Sequence, residues 1–313
     1  MLKVVFFGHS QTLFSNRHFQ ALQKIPCQLL GVVDTPRSNW SSTDVRPQVE
    51  FRSFAEVARA GGIPVWEPVS PNEPDFVKVL TDLAPDLLLA VGYTKLLKDS
   101  LLAVPRILAV NFHASLLPAY RGKHPVFWAL RNGERWVGLT VHVMDPHFDT
   151  GDILYQVRVR TRKSDSVSTL YDRIMDRSVG LVGRLLHDVE RGQIRRTPQP
   201  AQGASYYSST RVEDFKVDWS REAEQLRRWI QTSPGQCFAD IAGRRVFLMD
   251  AEVVARRSEL APGVLIRTGR TSCTVAAGKD ALHVRKVRED PDGEKSAPQL
   301  LRELGLEPGQ SLS

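Results

Sequence analysis

Four short runs of apolar residues, rich in β-branched and aromatic side chains, recur within the first 113 residues of this 313-residue chain. The runs are KVVFFG (3–8), LLGVVD (29–34), DLLLAVG (86–92) and ILAVNFH (107–113). Between them, apolar residues return at the three- and four-residue spacing of a helix, as in FVKVLTDL (76–83). Strands that are apolar almost throughout and alternate with helices indicate a mostly parallel α/β sheet covered on both faces. Such sheets bind ligands outside the carboxyl ends of their strands.

The rest of the chain predicts two more strands, a helix and a second domain. GLTVHVMD (138–145) and ILYQVRVRT (153–161) read as strands, and one long helix is predicted from Ser166 to about Glu190. Beyond a helix around Glu222 to Thr232, strand-like runs separated by Gly and Pro turns predict a smaller, OB-like β-barrel. These runs are RRVFLMDAEVV (244–254), GVLIRT (263–268), CTVAAG (273–278) and ALHVRKV (281–287).

The segment between the two predicted domains is rich in Pro, Gly, Ser and Gln and lacks a sustained apolar period, which is typical of a linker. We therefore expect a catalytic domain over 1–192, a linker over 193–210, a C-terminal barrel domain over 211–305 and a frayed tail over 306–313.

The composition excludes some classes of protein and leaves one question open. No run of about 18 uncharged apolar residues exists, so we expect a cytoplasmic protein without a membrane partner. The three cysteines are far apart and suggest neither disulfides nor a thiolate zinc site. The net charge is +7, and residues 1–200 hold 25 Lys and Arg against 19 Asp and Glu. This excess is consistent with an RNA partner or with an ordinary basic surface.

Polar side chains follow the fourth apolar run, in NFHASLLPAYRGKHP (111–125). Asn111 and His113 are two residues apart, so on a strand they point to the same side while Phe112 faces the other way. An amide and an imidazolium together stabilise negative charge on a carbonyl oxygen, as acyl transfer to an amine requires. A carboxylate is also needed for proton removal, and Asp149 in the loop MDPHFDTGD is the candidate.

Each of these residues also has an ordinary structural interpretation. An isolated His at a strand end is usually structural, and Asp149 can simply form a turn before Gly151. His113, His124, His142 and His147 fit no zinc-ligand spacing, so no metal is expected. The stretch GHSQTL lacks a dinucleotide fingerprint, and Ser115 has no GxSxG elbow.

The region from Val110 to Gln156 carries NFHASLLP, YRG, WALRNGE, GLTVHVMD and FDTGDIL in that order. It resembles the folate-dependent formyltransferases, the family that includes methionyl-tRNA formyltransferase, glycinamide ribonucleotide formyltransferase and the sugar-amine N-formyltransferases. The stretch VDWSREAEQLRRWIQTSPGQCFADIAGRRVFLMDAEV and the later PGVL resemble the C-terminal domain of methionyl-tRNA formyltransferase.

The resemblance implies a Rossmann-like catalytic domain, 10-formyltetrahydrofolate as the formyl donor, and particular residues in its site. The implied catalytic residues are Asn111, His113 and Asp149. The implied folate-binding residues are Leu89, Ala90, Val91, Gly92, Tyr93, His147, Phe148 and Asp149. Residues expected on the acceptor side are Ser115, Arg121 and His124.

The acceptor amine is less constrained by the sequence. A second domain favours methionyl-tRNA, but the stretch DTPRSNWSSTDVRPQVEF (34–51) holds only Arg37 and Arg46, without the basic cluster that the tRNA enzymes carry there. The bulky segment KHPVFWAL (123–130) resembles the sugar-amine and amino-acid-like formyltransferases more closely. The sequence thus favours a small-molecule or carrier-bound amine. Methionyl-tRNA is the alternative, and an inactive folate- or RNA-binding relative is a second one.

Overall fold

The computed structural model describes residues 1–35, 52–255, 259–290 and 293–312 and divides the chain into two compact units. The first comprises residues 1–128 and 135–209, and the second comprises 129–134 and 210–313. The segment expected to be a linker, 193–210, therefore belongs to the first unit except for its last residue, Thr210. Arg37 and Arg46 of the predicted weak basic loop lie outside the described residues.

The first unit is built on a seven-stranded sheet with helices between its strands. Its elements are β1 (Lys3–Gly8), α1 (Leu13–Leu22), β2 (Gln28–Asp34), α2 (Phe54–Ala60), β3 (Val65–Trp66), α3 (Pro74–Leu83), β4 (Leu87–Val91), α4 (Asp99–Leu102), β5 (Leu108–His113), β6 (Arg121–Gly122), α5 (Pro125–Arg131), β7 (Trp136–Val143), β8 (Ile153–Arg160), α6 (Val167–Ser178), α7 (Gly180–Glu190) and β9 (Tyr206–Tyr207). The last residues of α5, from 129 onward, are part of the second unit.

The strand order of this sheet is β3-β2-β1-β4-β5-β7-β8. The strands from β3 to β5 are parallel to their neighbours, while β7 and β8 are antiparallel additions. The order reverses between β1 and β4, where Gly8 pairs with Val91, and β4 in turn pairs Val91 with Phe112 of β5. The carboxyl ends of these three strands therefore form one rim, which is where ligands of such sheets bind.

The single helix predicted from Ser166 to Glu190 was wrong, because the structure has two helices, α6 and α7, that meet at Val179 and Gly180. Glycine costs about 1 kcal/mol relative to alanine inside a helix. The boundary is further fixed by the buried Ser178 hydroxyl, 2.9 Å from His18 Nε2. The spacing of apolar residues does not predict such a break, because the apolar residues of both helices form one continuous buried face.

The second unit is a curled antiparallel sheet packed on helices. Its elements are a short 3-10 helix (Val212–Phe215), α8 (Ala223–Thr232), β10 (Phe238–Ile241), β11 (Arg244–Val254), β12 (Leu265–Thr268), β13 (Cys273–Ala276), β14 (Ala281–Glu289), β15 (Gly293–Ser296) and α9 (Ala297–Glu303). The order is β10-β11-β14-β13-β12, with β15 beside β14. The predicted fold class, a mostly parallel α/β domain followed by a smaller barrel-like β domain, is confirmed.

The C-terminal residues are not a frayed tail. Leu312 is only 3% exposed and donates its backbone N–H to Gly263 O at 2.9 Å, and Leu265 N donates to Gln310 O at 2.8 Å. A single apolar residue near the end of the chain, without a periodic pattern around it, does not predict that it will be buried against the rest of the protein. Among the described residues, no helix is both long and apolar enough to span a bilayer.

Candidate active site

Three predicted catalytic side chains meet at the carboxyl end of β5. Asn111 and His113 lie on that strand, and Asp149 lies in the loop between β7 and β8. Asn111 Nδ2 donates to Asp149 Oδ1 at 3.2 Å, and His113 Nδ1 lies 3.5 Å from the same oxygen. The antiparallel return of β7 beside β5 explains how residues 38 apart in sequence come together.

His113 is buried and contacts the protein through both ring nitrogens. Its Nε2 lies 2.8 Å from the carbonyl oxygen of Tyr120, which only accepts hydrogen bonds, while its Nδ1 faces Asp149. The Tyr120 carbonyl is brought here by a residue in the left-handed region, φ 62°.

His142 is a fourth member of the cluster that the sequence did not single out. It pairs with Asn111 across β5 and β7, and its Nε2 lies 3.3 Å from Asp149 Oδ1 and 3.2 Å from Asn111 Nδ2. Its Nδ1 is 2.8 Å from Val143 O, so that nitrogen carries a proton and Nε2 either accepts from Asn111 or donates to Asp149. Only the register of β5 and β7 shows that His142 lies beside Asn111. The sequence does not predict this, because a lone histidine in a strand has no distinctive spacing.

The Asp149 carboxylate is held as an anion by its surroundings. Its side chain is 9% exposed, and this burial alone raises its pKa. The nearby His113 and His142, together with the Gly122 N–H that donates to Oδ2 at 2.8 Å, outweigh burial, so the pKa of Asp149 lies well below its usual range. The carboxylate is therefore charged at neutral pH.

The backbone of Asp149 is held in the left-handed region, φ 57°, by a glutamine from the segment predicted to be a linker. Gln199 Nε2 donates to Asp149 O and to Gly151 O, both at 2.8 Å. Arg121 Nη2 donates to the Gln199 side-chain oxygen at 2.8 Å. Arg121, expected on the acceptor side, thus supports the Asp149 loop through Gln199.

Two family models match this chain. The model described as formyl transferase covers residues 2–184, and the model described as formyl transferase, C-terminal domain, covers residues 210–304. The chain belongs to the formyl transferase family. It is therefore a transferase related to methionyl-tRNA formyltransferases.

Curated relatives align with the formyl transferase over nearly its whole length. The methionyl-tRNA formyltransferase of Synechococcus sp. (strain JA-3-3Ab) is 30% identical over 313 residues, covering 96% of this chain and 95% of that protein. The methionyl-tRNA formyltransferase of Desulfotalea psychrophila is 30% identical over 300 residues, covering 94% and 90%.

Solved structures share the fold at lower identity. An N-formyltransferase from Helicobacter canadensis in complex with folinic acid and dTDP-3-aminofucose has a TM-score of 0.66 at 15% identity, covering 92% of this chain and 100% of that one. HypX from Aquifex aeolicus in complex with tetrahydrofolic acid has a TM-score of 0.56 at 18% identity, covering 96% of this chain. This formyl transferase spans about half, 47%, of that HypX chain.

The folate-binding segment expected at the end of β4 divides into two parts. Leu89, Ala90 and Val91 lie in β4, paired with strands on both sides and buried. Only the residues past the strand end, Gly92 and Tyr93, are partly accessible. A ligand at the rim would therefore contact Gly92 and the residues that follow it rather than the earlier part of the segment.

The remaining predicted residues lie around the cluster in different ways. Ser115 is buried, and its hydroxyl donates to Ala119 O at 2.8 Å, so it closes the loop that leads to Tyr120. His124 precedes α5 with φ 53° and is partly buried. His147 and Phe148 are exposed next to Asp149.

The bulky residues after His124 pack within the protein. Phe127 is buried, and the Trp128 ring stacks on Tyr207 with centroids 4.9 Å apart. On its other side, Tyr207 stacks on Tyr120 at 5.2 Å. Phe127 and Trp128 thus support the residue whose carbonyl contacts His113, which weakens their value as indicators of the acceptor.

Proposed function

We propose that this formyl transferase moves the formyl group of 10-formyltetrahydrofolate to a primary amine of a small-molecule or carrier-bound acceptor, such as an amino sugar or an amino-acid-like compound. The observation that carries the proposal is the convergence of Asn111, His113 and Asp149 at the rim of the sheet, with the carboxylate kept ionised. This is the set of groups that acyl transfer to an amine needs.

Each residue has a role that follows from its contacts. The Asn111 amide has a second N–H besides the one that bonds Asp149, and this N–H would stabilise the carbonyl oxygen that gains negative charge as the amine attacks. The His113 ring would reach that oxygen only by exchanging its contact with the Tyr120 carbonyl or with Asp149. Asp149 orients the His113 ring, because its carboxylate lies 3.5 Å from Nδ1. The proton lost by the amine passes to Asp149 or to His142 Nε2, directly or through water, and from there to N10 of the folate. The bond between N10 and the formyl carbon breaks, and tetrahydrofolate leaves with that proton.

When bound, 10-formyltetrahydrofolate would supply the formyl group. Two hydroxyl groups that follow β4 are suited to bind its pterin ring. Within the described residues, the Tyr93 hydroxyl and the Thr94 hydroxyl are buried without a hydrogen-bond partner. Buried polar atoms of this kind are costly unless a ligand or water satisfies them. We therefore assign folate binding to Gly92 and Tyr93, to Thr94 beside them, and to the loop from His147 to Asp149.

The acceptor is tested by a panel assay. Release of tetrahydrofolate from 10-formyltetrahydrofolate is followed with amino sugars, nucleotide-linked amino sugars, amino acids such as ornithine, and initiator methionyl-tRNA. We expect turnover on a compound of the first three classes, and His113→Ala should abolish it. Turnover confined to the charged tRNA would contradict the proposed acceptor.

Methionyl-tRNA remains the second candidate because the curated relatives that align along the whole chain carry that name. The same panel addresses it directly. Absence of turnover with every acceptor, combined with binding of the folate by calorimetry, would instead support the third candidate, an inactive folate- or RNA-binding relative.

A further inference from the structure

A strongly basic cleft lies where β8 ends and α6 begins, outside the catalytic cluster. Its volume is about 590 Å³, within the range of small-molecule sites. It is lined by Trp136, Arg160, Thr161, Arg162, Arg173 and Arg177. Four arginines and a tryptophan therefore line one open space.

The arginines of this basic cleft are only partly neutralised. Arg173 makes a charge-assisted pair with Asp165, at 2.7 Å, and Asp165 is 5% exposed. Arg177 Nη1 donates to the carbonyl oxygen of Arg158, at 3.0 Å. Among the residues that the structure describes, the guanidinium groups of Arg160 and Arg162 make no ion pair, although the Arg162 backbone N–H donates to Asp165 at 2.7 Å. One carboxylate thus faces four cations, which leaves an excess of three positive charges.

The arrangement of these groups favours a particular class of ligand. Planar guanidinium groups bind phosphate oxygens through paired N–H donors, and a cluster of them repels itself unless an anion is present. The Trp136 side chain is 43% exposed, although large apolar surfaces are normally covered. Phosphate groups on the arginines and a base stacked on the indole would use both features.

We propose that the basic cleft binds a nucleotide, with its phosphates on Arg160, Arg162 and Arg177 and its base against Trp136. The chemistry is the same for a free or sugar-linked nucleotide and for one unit of an RNA strand.

The basic cleft lies on the same rim as the catalytic cluster. Thr140 of β7 pairs with His113, and Trp136 pairs with Arg160. Trp136 and Thr140 are four residue steps apart along β7, which is about 13 Å at strand rise. The cleft would therefore anchor the nucleotide part of a carrier-bound acceptor. This last step rests on the proposed formyl transfer, whereas nucleotide binding itself does not.

Binding is measured by calorimetry on the full chain with inorganic pyrophosphate, with UDP and with a 12-nucleotide single-stranded RNA. The test variant is Arg160→Ala combined with Arg162→Ala. The matched control is Arg195→Ala combined with Arg196→Ala, which removes two exposed charges elsewhere in the first unit. A second variant, Trp136→Ala, tests the indole separately.

We expect the double arginine variant of the cleft to bind UDP and pyrophosphate at least about tenfold more weakly than the wild type, because charge-assisted hydrogen bonds are lost. The control variant should bind both with unchanged affinity. Trp136→Ala should weaken UDP but not pyrophosphate. Much tighter binding of the RNA, abolished by the cleft variant, would identify the source as a strand rather than a free nucleotide.

No binding of any probe by the wild-type chain, or equal weakening in the control, would overturn the nucleotide site. Formyl transfer without nucleotide binding would support the proposed function and show that the cleft has no part in it. Nucleotide binding by a chain that transfers no formyl group would support the nucleotide site and contradict the proposed function.

Discussion

At the scale of single residues, the charge of Asp149 results from two opposed effects. Burial favours the neutral acid, while His113, His142 and the Gly122 N–H favour the carboxylate and prevail. The same contacts fix the direction of the carboxylate. Its ionisation and its position are therefore set by residues from three different elements.

The substitution Asp149→Asn keeps the shape of the side chain and removes its charge. We expect the single-turnover rate of formyl transfer to fall by about 10²- to 10⁴-fold, because the orienting anion and a proton acceptor are lost together. Circular dichroism should show an unchanged fold. A rate near that of the wild type would contradict the proposed role.

The depressed pKa of Asp149 also predicts a dependence of stability on pH. A carboxylate with a lowered folded-state pKa contributes stability that is complete above its unfolded pKa of about 3.9 and is lost as pH falls through the folded value. Between pH 5 and pH 3, the free energy of unfolding should therefore drop more for the wild type than for Asp149→Asn. Urea denaturation at the two pH values measures this, and parallel losses would contradict it.

Gln199 is a positioning residue that acts through the Asp149 backbone. In Gln199→Glu the oxygen that accepts from Arg121 is kept, but the N–H donors to Asp149 O and Gly151 O are lost. We expect kcat to fall by roughly 10²-fold, the cost of a small misplacement of a catalytic group, with little change in KM for the folate. The pH profile of kcat should shift as well, which a purely structural role would not produce. Unchanged kcat would show that these donors are dispensable.

At the scale of elements, the short pairing of β6 with β9 connects the loop after β5 to the segment expected to be a linker. Arg121 pairs with Tyr206 and Gly122 with Tyr207. This pairing fixes the backbone N–H that binds Asp149 and the ring that supports Tyr120. Two residues from beyond the predicted domain boundary are thus part of the site.

The substitution Gly122→Ala tests this pairing. A Cβ at Gly122, φ 91°, would lie 2.2 Å from Tyr207 O, so β6 and β9 must separate and the N–H must leave Asp149. We expect kcat to fall by about 10²-fold, as for loss of one oriented donor. Gly62→Ala is the matched control, because its φ is also positive, 68°, and nothing lies within 4 Å of the added atom. Equal effects of the two changes would point to backbone strain alone.

At the scale of the whole molecule, the division into units does not follow the chain order. Residues 129–134, from the middle of the sequence, belong to the second unit. There Arg131 lies over the Trp229 ring at 3.8 Å and donates to the carbonyl oxygen of Asp214. A segment that follows the NFHASLLPAYRGKHP motif closely in sequence thus belongs to the C-terminal unit.

Arg131→Met should destabilise the second unit locally. We expect a loss of about 2–4 kcal/mol from the buried cation–π contact and the charged hydrogen bond together. Faster hydrogen exchange in peptides covering α8 measures this. Arg302→Met, an exposed arginine of α9 in the same unit, is the control and should change exchange little. Unaltered exchange in both variants would contradict the assignment of Arg131.

The sequence by itself determined the alternation of strands and helices, the placement of Asn111 and His113 on one side of a strand, and the family motifs that include Asp149. These features follow from local periodicity and short motifs, which every segment carries independently of the rest. The tertiary structure alone decided that His142 joins the cluster and that Gln199, 50 residues from Asp149, holds its loop. It also decided that Phe127 and Trp128 pack inward and that Leu312 is buried. Such contacts depend on strand register and chain reversal, which residues distant in sequence set together and no local pattern encodes.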